Sequence, residues 1–343
     1  MKIVIDDKIP YIRGVFEPYA ETVYLPGKTI SRRDVADADA LLVRTRTRCD
    51  AALLDGSSVG LVATATIGTD HIDRSWCAAN GIETVSAPGC NAGGVLQWVA
   101  AVLARTVAVR KARPAELTLG VVGTGHVGSL VERYAAAWGF GVLCSDPPRE
   151  EAEGLGRREG YVPLGELAAR SDIVTFHVPM LRTGPHPTFG LGGTEFFAAL
   201  KNGATVLNSS RGGIVDETLL LHRVAEGRCT CCIDTWENEP AINSRLLAAA
   251  SLATPHIAGY SEQGKANASA VVVAAVAEHF GLPLAHWYPR QVRPVTRRPL
   301  SWEALCATIT DRFAIEDQSE ALKAAPERFE DFREHYAFRQ EYF

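Results

Sequence analysis

Short apolar runs recur along the chain, and stretches with helical spacing lie between them. In the first ninety or so residues, Lys2–Ile5, Thr22–Leu25, Ala40–Val43, Leu61–Thr64 and Ile82–Val85 have the length and the apolar content of strands. Helical turns are expected near Pro10–Phe16, Asp50–Leu54 and His71–Ala79, and Asn91 stands where it could cap a long helix from Ala92 to Arg110. Pro114 closes that stretch. A second series begins at Leu117–Val122 and continues through Val142–Cys144, Ile173–His177, Thr205–Asn208, Cys229–Asp234 and Leu252–Thr254. A last strong helix spans Glu262–Phe280. Strands alternating with helices predict an α/β protein with parallel sheets covered on both faces. From Leu282 onward, four prolines interrupt an Arg-rich stretch. The tail beyond carries Phe329, Phe332, Tyr336, Phe338, Tyr342 and Phe343, which need burial on their own domain or on a second subunit.

The 343 residues are 47% apolar and 22% charged, enough for more than one core, and they exclude a mainly disordered chain. A net charge of −5 gives no sign of a nucleic-acid or membrane-surface partner. The Ala268–Ala277 run is too short to span a bilayer, and Asp6 and Asp7 interrupt the N-terminus before a signal core could form, so a cytoplasmic location is expected. Eight scattered cysteines fit reduced thiols better than a disulfide framework. In the run Cys229–Asp234, strand alternation sends Cys231 and Cys232 to opposite faces, a poor arrangement for a metal, and no metal site is expected.

The sharpest local signal is Gly123-Thr-Gly125-His-Val-Gly128, a G-x-G-x-x-G run between the strand Leu117–Val122 and a helical pattern. That pattern places Val127, Leu130, Val131, Tyr134, Ala135 and Trp138 on one face. In this setting the first glycine makes the tight turn, the second lets backbone approach a pyrophosphate, and the third lets helix and strand pack closely. Asp146 ends the next strand, where an acidic group binds a ribose diol and repels a 2′-phosphate, which favours NAD over NADP. Arg149 close by weakens that preference slightly.

Three further ionisable groups stand just beyond predicted strand ends, the edge at which open α/β sheets bind ligands. They are Arg211 in Asn208-Ser-Ser-Arg-Gly-Gly-Ile-Val-Asp216, Glu239 in Asp234-Thr-Trp-Glu-Asn-Glu-Pro240, and His256 in Thr254-Pro-His-Ile-Ala-Gly-Tyr260. Asp216 could cap the helix that follows its run. Hydride removal from a 2-hydroxy acid needs these types. A guanidinium grips the carboxylate, an imidazole takes the hydroxyl proton, and a carboxylate holds the imidazole and favours its protonated form.

In this order the motifs resemble the D-isomer-specific 2-hydroxyacid dehydrogenases. The likeness extends through Ala63-Thr-Ala-Thr-Ile-Gly-Thr-Asp-His71, Ala87-Pro-Gly-Cys-Asn-Ala92, Gly184-Pro-His-Pro-Thr188 and the tail from Phe313, so it covers nearly the whole chain. The resemblance implies a Rossmann-type NAD domain over residues 92–258 and a discontinuous flavodoxin-like substrate domain from residues 1–91 and 259–282. It implies a cleft between them and a small α+β dimerisation domain over residues 283–343 that makes a homodimer.

By the same resemblance Arg211, Glu239 and His256 are catalytic. Gly123, Gly125, His126, Val127, Gly128, Asp146, Thr175, Ser210, Asp234 and Gly259 would contact NAD. Thr45, Thr66 and Tyr260 would contact a small phosphorylated hydroxy acid. Arg44, beside Thr45, is the arginine expected on its phosphate, with Arg290, Arg293, Arg297 and Arg298 as a second source of positive charge. Gln97-Trp98 stands where the family more often has Glu-Tyr, and Thr45 replaces a frequent serine. Other hydroxy acids such as 3-phosphoglycerate, and a non-catalytic NAD-sensing module similar to the C-terminal-binding corepressors, stay open as alternatives.

Overall fold

The computed structural model describes residues 1–153 and 160–343, which form two compact units. The first comprises Met1–Asn91 and Ser261–Val295, so its returning segment runs past the boundary expected at 283. Its strands β1 (Lys2–Asp6), β2 (Glu21–Leu25), β3 (Ala40–Val43), β4 (Leu61–Thr64) and β5 (Glu83–Val85) form one parallel sheet in the order β2-β1-β3-β4-β5. That is the flavodoxin-like order. Strands β3 and β4 are buried throughout, which explains their unbroken apolar sequence.

The helix Glu262–Phe280 lies on this sheet. Ser261 caps it by accepting the Gly264 N–H, and Gly281 ends it with a left-handed φ of 70°. The stretch Pro10–Phe16 is not helical as expected but a series of turns. Tyr11 and Gly14 have φ of 63° and 83°, which break a right-handed helix, while Ile12 and Phe16 still reach the core.

The second unit comprises Ala92–Tyr260 and Thr296–Phe343. Its strands are β6 (Thr118–Val122), β7 (Gly141–Ser145), β8 (Ile173–Phe176), β9 (Ala204–Asn208), β10 (Cys229–Ile233) and β11 (Leu252–Ala253). They form a parallel sheet in the order β11-β10-β9-β8-β6-β7. A single parallel bridge from Cys144 to Tyr161 extends the sheet beyond β7, which gives the order expected of a dinucleotide-binding sheet, with its switch point between β6 and β8. Cys229 and Cys231 face one apolar layer of this sheet and Cys232 the other, as strand alternation requires.

The helix Ala92–Arg110 is long and apolar enough to cross a membrane, yet 78% of its apolar window is buried within the structure. Its apolar character on nearly every side reflects a central position. Asn91 does not cap it, because Asn91 Oδ1 has no hydrogen-bond partner among the described residues. The carboxylate of Glu341 lies instead against Gly93 in the first turn, so close that a Cβ there would overlap it, and it pairs with Arg297 at 3.4 Å. A buried anion there complements the helix dipole.

The C-terminal residues are helical (Trp302–Arg312, Ile315–Ala324 and Phe329–Glu334), with no strand element among the described residues where a mixed build was expected. The last residues alternate. Arg339, Glu341 and Phe343 are buried, and the Phe343 ring packs on Tyr134 and Trp138 with centroids 5.3 and 5.9 Å apart. Such aromatic pairs contribute about 0.5–1.5 kcal/mol each beyond area burial. The tail aromatics thus find partners on their own unit.

Candidate active site

The loop after β6 shows why glycine recurs in it. Gly123 holds a φ of 83°, and a Cβ on Gly128 would overlap the Gly123 carbonyl oxygen. Gly125 has nothing within 4 Å of where its Cβ would stand, so the space a pyrophosphate needs above the loop is open. His126 and Gly125 are exposed and Val127 is half-buried at the start of the helix Gly128–Ala137.

Asp146 follows β7. Its Oδ2 accepts from the N–H and hydroxyl of Thr124 at 2.7 and 3.0 Å, which fixes the carboxylate beside the glycine loop. The Arg149 guanidinium turns to the Thr124 carbonyl at 3.0 Å and to Glu153 at 2.5 Å. It is thereby engaged by the protein itself. On β8, Thr175 Oγ1 meets His177 Nε2 at 3.0 Å, and burial pushes the His177 imidazole down to about 3, so the ring is neutral. These features fit an adenine dinucleotide lying along the sheet edge.

After β9, Asn208 Oδ1 accepts from the Ser210 N–H and hydroxyl at 3.2 and 2.9 Å, and Asn208 Nδ2 donates to the Arg211 carbonyl at 2.9 Å. The Arg211 guanidinium donates to the Ser210 carbonyl at 2.8 Å. A Cβ on Gly212 would overlap the Trp236 carbonyl, so the arginine loop is pressed against the loop that carries Glu239. Asp216 caps the next helix as expected, accepting from Thr218 and Leu219 N–H at 2.9 Å each.

The loops after β10 and β11 meet at Asp234. This buried carboxylate accepts from the Thr254 hydroxyl at 2.6 Å and from the Ile257 and Ala258 N–H groups at 2.8 and 3.0 Å. Burial raises the Asp234 carboxyl above its ordinary value, against the opposing His256 charge and these donors. Trp98 Nε1 donates to Thr254 Oγ1 at 2.9 Å, so the departure at Gln97-Trp98 has a use: the indole completes the Asp234 network.

Pinned in this way, the loop holds His256 at a left-handed φ of 57° and turns Nδ1 onto Glu239, 3.0 and 2.8 Å from its two oxygens. Burial works to raise the Glu239 carboxyl, but the His256 charge and hydrogen bond, the Trp236 N–H at 3.0 Å and Arg333 together hold it below the usual range. Tyr260 follows Gly259 and accepts from Arg333 Nε at 3.1 Å.

In the first unit, Arg44 follows β3 and donates to the Lys8 carbonyl at 3.3 Å, with Thr45 exposed beside it. Thr66, just past β4, meets Thr64 Oγ1 at 2.7 Å and donates to the Gly68 carbonyl at 3.0 Å, and His71 Nε2 closes the chain on Thr64 at 3.1 Å. Arg297 is committed to Glu341 within the second unit. Sequence reasoning missed Thr124, Glu217, Arg333 and Arg339. No local motif marks the two tail arginines, whereas Glu217 directly follows the capping Asp216.

Residues 96–258 match the family model of the D-isomer specific 2-hydroxyacid dehydrogenase NAD binding domain. An erythronate-4-phosphate dehydrogenase of Bacteroides thetaiotaomicron is 43% identical, over 99% of this chain and 97% of its own length. Its counterpart in Porphyromonas gingivalis is 39% identical, over 99% and 94%. A D-lactate dehydrogenase of Aquifex aeolicus, solved with NAD and lactic acid, superposes with a TM-score of 0.67 at 23% identity, covering 86% of this chain and all of that one, and so shares the fold. With NAD as its cofactor and a dehydrogenase's sheet edge, the chain belongs to the erythronate-4-phosphate dehydrogenase family, within the D-isomer specific 2-hydroxyacid dehydrogenases.

Proposed function

We propose that the protein oxidises 4-phospho-D-erythronate at C2 to 2-oxo-3-hydroxy-4-phosphobutanoate, a step of pyridoxal 5′-phosphate biosynthesis. The observation that carries this reading is the carboxylate of Glu239 closed on His256 Nδ1 at the carboxyl edge of the NAD-binding sheet. With Nδ1 committed to Glu239, Nε2 on the opposite side of the ring receives the C2 hydroxyl proton. Arg211 grips the substrate carboxylate and polarises the carbonyl that forms at C2. Glu239 holds the ring in position and stabilises it once protonated. The dinucleotide, when bound, supplies the acceptor for the hydride leaving C2. Gly123, Gly125, His126, Val127 and Gly128 would hold its pyrophosphate and Asp146 its ribose diol, with Thr175, Ser210, Asp234 and Gly259 lining its path.

Thr45, Thr66 and Tyr260 orient the substrate, and Arg44 takes its phosphate. The C-terminal residues, from about 283, join two copies in a cytoplasmic homodimer. Full-length identity to relatives bearing this enzyme's name supports the choice of substrate over 3-phosphoglycerate and over a non-catalytic NAD sensor. The test follows NADH absorbance with 4-phosphoerythronate, erythronate and 3-phosphoglycerate as substrates. The phosphorylated four-carbon acid is expected to have the highest kcat/KM, and Arg44→Ala to raise its KM far more than that of erythronate. Equal effects on both substrates remove Arg44 from the phosphate, and no NADH formation with any of them overturns the enzymatic reading.

A further inference from the structure

The C-terminal segment reaches the His256–Glu239 pair through Arg333. Arg333, on the helix Phe329–Glu334, donates from Nε to the Tyr260 hydroxyl at 3.1 Å and places Nη1 3.7 Å from Glu239 Oε2. Glu330 Oε1 lies 3.9 Å from the same Nη1. The Arg333 side chain is 21% exposed, that of Glu239 18% and that of His256 26%, so water only partly screens the charges.

The cationic Arg211 stands on the loop pressed against the one that carries Glu239, and acidic groups face the pair as well. Glu217 interacts with Glu239 from the neighbouring helix, and Asp234 faces His256 from the end of β10. Arg333 is thus the cation paired with the carboxylate that holds the imidazole. A carboxylate on Nδ1 stabilises the protonated ring, and a cation on the far side of that carboxylate offsets part of the effect.

We propose that Arg333 is a positioning residue for the acid–base pair: held by Tyr260, its guanidinium counters the Glu239 charge and so sets the pH at which His256 exchanges its proton. It acts through Glu239 and Tyr260. This rests on the reading of His256 as the acid–base group.

The test uses the full-length, ligand-free protein labelled with carbon-13 at histidine Cε1, the His256 signal being identified by its loss in His256→Asn. Arg333→Gln removes the charge and keeps a donor for Tyr260, and the midpoint of the His256 titration should rise by about half a pH unit. Arg333→Lys keeps the charge and should leave the midpoint near that of the wild type. The acidic limb of kcat/KM for substrate oxidation should move with the midpoint. An Arg333→Gln midpoint equal to that of the wild type, or an Arg333→Lys shift as large as that of Arg333→Gln, overturns the proposal.

Should Arg333→Gln fail to fold, Glu330→Gln gives the opposite sign. Without Glu330 competing for it, Arg333 bears more strongly on Glu239, so the midpoint should fall, and an unchanged or raised one counts against the proposal. Normal turnover by His256→Asn would instead defeat the acid–base reading itself, whatever the Arg333 variants do.

Discussion

Glu217 occupies the first turn of the helix Glu217–Ala225 with only 7% of its surface exposed, and its Oε1 accepts the Glu237 N–H at 2.7 Å. Burial, and after it the charges of Glu237, Glu239 and Asp216, push its carboxyl from 4.5 up to about 7, while the Glu237 N–H alone opposes them. The folded protein therefore keeps a proton at Glu217 between those two values that the unfolded chain has already released. Stability contributed by the protonated form is lost as pH rises through that window, and it stays lost above it. A separation of about 2.5 units corresponds to about 3 kcal/mol once both states are ionised.

Glu217→Gln removes the ionisation and keeps an amide oxygen for the Glu237 N–H. Its advantage over the wild type should be under about 1 kcal/mol at pH 5 and grow to about 3 kcal/mol at pH 8. Urea unfolding midpoints of both proteins at pH 5, 6.5 and 8 measure the difference. Parallel pH dependences for the two proteins would show that Glu217 ionises in the folded state as easily as in the unfolded one, and the reasoning would fail.

Two further outcomes follow from the site's geometry. His256→Asn should lower kcat by about a thousandfold or more, while NADH binding, read by fluorescence, stays near that of the wild type. Gly212→Ala drives a methyl group into the Trp236 carbonyl, so it should cost about 2–3 kcal/mol of stability and lower kcat by shifting the Arg211 loop. Thermal unfolding and steady-state assays would expose an error if both values were unchanged.

Much of this architecture is legible in the sequence because it is local. Strands β3, β4 and β9 are buried along their length, so their apolar runs stand out, and the glycine spacing after β6 answers to clashes a few residues apart. Asp216 reads correctly as a cap because its partners lie only two and three residues on. What escaped is what depends on distant partners or on individual φ values. The turns around Tyr11 and Gly14 carry an apolar spacing that also suits a helix. Asn91 has the right chemistry for a cap, but Glu341 from the far end of the chain takes that helix start. Glu217 looks like an ordinary surface acid until the 237–239 loop folds over it. Arg333 has no signature at all, since its meaning comes from Tyr260 and Glu239.

Arg339 shows how the tail is written into the loop that carries His256. Its guanidinium donates to the carbonyls of Gly94, Ile257 and Ala258 and to Gln97 Oε1, and it lies over the Phe313 ring at 4.3 Å. Three of those acceptors are main-chain oxygens, which every amino acid provides. The grip therefore asks nothing of the side chains at 94, 257 and 258, whose variation among descendants of this chain would be policed by packing alone. Arg339 thus seats the carbonyl side of the loop whose N–H side Asp234 holds, and lysine, with a single ammonium head, could not span so many oxygens at once.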